Sequence, residues 1–66
     1  MATRANDSTL ESLRQKYRET MNTITDNVIG GSCTTYAEYR EACGRVYGLA
    51  IAESDLLALD KAMTED

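Results

Sequence analysis

The four residues Ile29, Gly30, Gly31 and Ser32 decide most of what this chain can fold into. Patterns of helical spacing run up to them from one side and away from them on the other, and the chain has no proline to end either. Gly30 or Gly31 can take the left-handed position that closes a helix, so the pair marks a firm stop. Before it, Leu10, Leu13, Tyr17, Met21 (or Thr20), Ile24 and Val28 recur at threes and fours, one narrow stripe on a helix. Ser8 with Glu11 has the form of a capping box, which predicts helix one over about 8–29 and leaves residues 1–6 as a flexible N-terminus.

After the stop, Thr35 and Glu38 form a second capping box. A helix that restarts within about five residues of the last one gives an αα-hairpin with antiparallel helices. The expected fold is therefore all-α: a single helical-hairpin domain over 1–66, a turn at 30–34 and a long helix two over about 35–63. Ser54 and Asp55 offer a cap for a separate third helix, so a break near 53–55 is the alternative to a continuous or gently kinked helix two.

Helix two is apolar around more of its circumference than one neighbour requires. Tyr39, Ala42, Val46, Leu49, Leu56, Leu59 and Met63 make one stripe, interrupted by Glu53. A second set, including Tyr36, Cys43, Tyr47, Ile51 and Leu57, flanks it. A helix packed on a single partner needs only one apolar face. Gly44, Gly48 and Ala52 add a ridge of small residues one turn apart. Each interior glycine costs roughly 1 kcal/mol relative to alanine. Close approach of another helix explains that cost, as it does for small-residue ridges in general. The alternative is a kink, or room for a bulky neighbour such as Tyr17 within the hairpin. Tyr39, Gly44, Tyr47, Gly48, Ala52, Leu56 and Leu59 are the expected interface residues.

Size points the same way. A chain of 66 residues without tryptophan or phenylalanine lacks the large anchors that let very small domains stand alone. One seam between two helices barely offsets chain entropy at about 25 cal/mol per Å² of buried apolar area. Self-association, for instance as a four-helix bundle, or docking on a larger protein would complete the core.

Other function classes lose their residues one by one. Net charge is −4, so a nucleic-acid partner is not expected, and a helix-turn-helix reader would need a basic recognition face. With no histidine and two cysteines, Cys33 and Cys43, no metal site is expected unless carboxylates or a second chain contribute. The cysteines are read as free thiols. No phosphate loop or dinucleotide fingerprint is present, so neither a cofactor nor a small-molecule substrate is expected. The "GGSCTT" amides before helix two could hold an anion, but a hairpin turn uses the same residues. Cys33 near a helix start has no general base to serve it. Glu38, Glu41, Glu53, Asp55 and Asp60 alternate with Arg40, Arg45 and Lys61, as on a solvated face with local ion pairs. Enzymatic activity is not expected. No apolar run approaches ~18 residues and "MATRANDSTL" lacks a signal-peptide core, so a membrane partner is not expected and the protein is expected to stay in a cytoplasm.

Residues 35–63 resemble small helical proteins encoded by tailed bacteriophages, in which an aromatic-rich helix start runs into Cys-Gly, Gly-Leu and Ala-Glu pairs and a leucine-rich end. The matching positions are Tyr36, Tyr39, Arg40, Cys43, Gly44, Gly48, Leu49, Ala52, Leu56 and Leu59. The resemblance implies a minor structural or assembly protein of a virion (a head, neck or tail accessory subunit) working as a homo-oligomer and/or on larger phage structural proteins. Its location would be the virion, or the host cytoplasm during assembly. It implies no catalytic residues. The alternative is a small phage-encoded regulator or inhibitor that binds a host protein, for which a short acidic helical chain is suited.

Overall fold

The computed structural model describes residues 2–64, with side chains from 9 to 63. Two helices, α1 (Ala2–Ile29) and α2 (Tyr36–Thr64), pack as a hairpin 49 Å long and only 15 × 12 Å across.

The ends of α1 differ from expectation on one side only. The helix begins at Ala2, so Ser8 lies inside it and is not its cap. Nothing in residues 2–7, which include neither glycine nor proline, stops the helix from extending back. The Ser8 side chain lies outside the described residues, and Glu11 meets Arg14 one turn on, at 3.5 Å.

The other end closes as the diglycine requires. Gly31 takes φ +89°, its N–H donates to the Val28 carbonyl at 3.1 Å, and the Ser32 N–H reaches the Asn27 carbonyl at 3.0 Å. This pair of bonds is the Schellman motif, with Gly31 as its left-handed residue. At the start of α2, the Glu38 N–H donates to the Thr35 hydroxyl at 3.1 Å. The Glu38 carboxylate reaches back one residue further than a standard capping box, to the Thr34 N–H at 2.7 Å and the Thr34 hydroxyl at 3.0 Å. Those bonds, the backbone one foremost, hold the Glu38 carboxyl below the ordinary glutamate value.

α2 runs without a break through 53–55. Ser54 and Asp55 are exposed helical residues, flanked by strong helix formers and no glycine or proline beyond Gly48. Glu53, which interrupts the apolar stripe, turns inward and is 7% exposed. Its carboxylate accepts a hydrogen bond from Arg18 Nε at 2.8 Å. Arg14 Nε sits 3.2 Å from the same oxygen, an ion pair too poorly aligned for a hydrogen bond. One acid on α2 is thus gripped by two arginines one turn apart on α1.

The seam is thin. Ile24, Ala42 and Leu56 are its buried apolar residues, and among the described residues no side chain is completely sealed from solvent. Leu10, Tyr17, Met21 and Val28 of α1 and Val46 and Leu49 of α2 are half-buried beside them. Ile24 and Ala42 line the same two grooves, and Leu10 and Leu56 share a recess further from the turn. Facing positions such as 24 and 42, 10 and 56, or 14 and 53 therefore follow one antiparallel register.

Candidate interaction surface

α1 is amphipathic and α2 is not. Apolar residues on α1 favour one direction, toward its partner, whereas those of α2 point around the whole helix with no net direction. Helix geometry explains what this leaves outside. At about 100° per residue, Gly44 lies about 200° round the helix from Ala42, on the side facing away from α1.

Gly44 and Gly48 are exposed, and a Cβ built on either would meet nothing within 4 Å. The ridge does not pack against α1, and neither glycine makes room for Tyr17. α2 runs through both without a break. Ala52, the third member of the ridge, is half-buried at the seam's edge.

The other expected interface residues divide. Tyr47 at 70% exposed, Leu59 at 54% and Tyr39 at 44% are open to solvent. Leu56 is not: at 9% exposed it belongs to the seam against α1 and is unavailable to a neighbour. Register accounts for the exchange. Beyond Glu53 the seam follows Leu56 and Asp60, which leaves Leu59 and Met63 outside.

Two grooves run along the hairpin near the turn, on opposite sides of the Ile24–Ala42 contact. One, of about 330 Å³, has mostly polar walls and includes Glu38, Glu41, Arg45 and Cys33. The other, of about 440 Å³, has no charged residue in its walls. Its floor is Ile24, Ala42 and Val46, and its sides are built by Val28 and Ile29 from α1 and by Tyr39, Cys43, Tyr47 and Ala50 from α2. The Tyr39 and Tyr36 rings lie 6.4 Å apart between centroids, tilted by 33°. A hydrogen bond to the Cys43 side chain keeps the proton on the Tyr39 phenol and raises its pKa above the ordinary tyrosine value.

Two features of this surface escape a reading of the sequence. Ile29 is 78% exposed at the rim of the uncharged groove, yet in the sequence it reads only as the residue before the glycine stop. The Arg14–Glu53–Arg18 cluster was signalled by an acid inside an apolar stripe and two arginines four apart on the other helix. Joining them needs the register.

Among the described residues no three metal-ligating side chains converge, and no helix is long and apolar enough to cross a membrane. Fold and surface together define a class: a helical hairpin whose second helix carries an unpartnered apolar exterior. No protein-family model matches the chain, and no curated protein or solved structure matches it either.

Proposed function

We propose that the chain is a structural or assembly subunit that works by helix–helix packing, with the exterior of α2 as its contact surface. The observation that carries this reading is the apolar residues all around α2, of which α1 covers one side. Gly44 and Gly48 support it: they lie in the open, where no intramolecular contact explains them, and they admit a neighbouring helix to within backbone distance. The resemblance of residues 35–63 to small helical proteins of tailed phages supplies the setting, a minor virion component of the head, neck or tail in repeated copies.

The test separates a phage lysate on a density gradient and asks where the chain bands. Wild type is expected with the particles, and Gly48→Leu, which fills the ridge without touching α1, is expected to stay in the soluble fraction. Equal incorporation of both would remove the ridge from the contact surface. Absence of wild type from the particles would overturn the virion reading and favour a regulator of a host protein, for which the net charge of −4 suits a basic partner groove.

A further inference from the structure

We propose that the uncharged groove is the contact face for a second copy of this chain, the two hairpins pairing about a two-fold axis into a four-helix bundle. This names the first partner within the assembly reading, and rests on that reading only for its biological setting.

Area is the first reason. The chain exposes 5124 Å², whereas a compact folded chain of 7.3 kDa exposes about 4,200 Å². Its radius of gyration is 15.2 Å against roughly 11 Å for a compact domain of this length. The surplus, on the order of 900 Å², matches the ~800 Å² that each partner contributes to a standard interface.

Charge is the second. A two-fold axis sets residues near it against their own counterparts, so a charged face would oppose like charges. Two copies at −4 each already repel, and a neutral contact face adds no local opposition of like charges to that repulsion. The larger groove meets that condition, because its walls carry no charged residue. The smaller, with Glu38, Glu41 and Arg45, does not.

Shape is the third. The same face carries a recess and the projections that flank it, Tyr47 and Ile29, both more than two-thirds exposed. A half-turn brings each Tyr47 over the partner's recess. Tyrosine suits such a site, with a large apolar body and a hydroxyl that stays in reach of water.

Sedimentation equilibrium of the full chain over a concentration series tests the pairing. Wild type is expected at twice the 7.3 kDa chain mass. Tyr47→Glu is expected to raise the dissociation constant roughly tenfold or more, as for a central interface residue. Gln15→Glu adds the same charge at an exposed position of α1 that lines neither groove and is expected to shift it by less than twofold. A short bis-maleimide should join two Cys33→Ala chains through Cys43, in the groove wall. It should not join Cys43→Ala chains, whose Cys33 lines the opposite groove. Helicity by circular dichroism checks that each variant folds, and Tyr47→Ser repeats the test without the charge.

A wild-type monomer throughout the series overturns the pairing, as does equal weakening by the two glutamate variants or crosslinking through Cys33 alone. A monomer that still bands with particles would refute the pairing and leave the assembly reading standing. A Tyr47-dependent dimer absent from particles would do the reverse.

Discussion

Replacing both ridge glycines by alanine should make the isolated hairpin more stable. Where an interior glycine fills a tight contact, alanine overpacks it and destabilises. Here a Cβ at Gly44 or at Gly48 meets nothing within 4 Å, and both residues lie well inside α2 with ordinary helical backbone. What remains is the backbone term. Alanine loses less conformational freedom on folding and is worth roughly 1 kcal/mol per site in an exposed helix interior. The sites are four residues apart and neither touches α1, so the two effects should add to about 2 kcal/mol. For a chain of this size each kcal/mol moves the melting temperature by roughly 4–8 °C, so the double variant should melt about 8–16 °C higher. The assay is a thermal melt followed by far-UV circular dichroism on the purified chain alone. Pairing through the uncharged groove would not change the expectation, because the glycines lie outside that face. A lower melting temperature would mean that the glycines are packed against something in the species being melted, and the reasoning would fail.

Further outcomes follow from the turn and the seam. Gly31→Ala places a side chain at φ +89° and should cost about 1–2 kcal/mol, read as a drop in melting temperature; an unchanged melt would show that the turn can reform another way. Glu53→Gln keeps the shape but weakens the charged bonds to Arg18 and Arg14. With Arg18 half in water, the loss should be about 1–2 kcal/mol. Glu53→Leu, which replaces the acid by an apolar residue, should melt at or above the Gln variant, and the opposite order would contradict this account of the cluster. Glu38 has a lowered folded-state pKa, so its contribution is present above the ordinary glutamate range and is lost as pH falls through that range to the folded value. Glu38→Gln should therefore flatten part of the acid limb of a stability–pH curve, and an identical limb would remove Glu38 as its source.

The hairpin was legible because its signals are local. A diglycine, a threonine–glutamate cap and two stripes at helical spacing each act over a few residues, and the structure uses the first two and part of each stripe, leaving Leu13, Tyr39, Leu59 and Met63 outside the seam. The start of α1 was misplaced because a capping motif also occurs inside helices, and only a chain break or an unfavourable residue before it would make it a boundary. The possible break at Ser54 and Asp55 failed for the same reason. Glu53 was visible only as a flaw in a stripe, since its meaning depends on Arg14 and Arg18, more than thirty residues away. The exposed apolar exterior of α2 could be foreseen from its circumference. Which groove is uncharged could not, because each draws its walls from both helices.

The wired turn also sets the order in which the seam can form. With Gly31 and Glu38 holding its two sides, the chain between Ile24 and Ala42 is short, whereas Leu10 and Leu56 are separated by a stretch more than twice as long. Loop-closure entropy rises with the logarithm of that length, so the outer layer costs about 0.8 kcal/mol more to close first. Folding should start at the Ile24–Ala42 layer and zip toward the open end. A kinetic comparison would then find Ile24→Val slowing folding, while a truncation at Leu56 chiefly speeds unfolding.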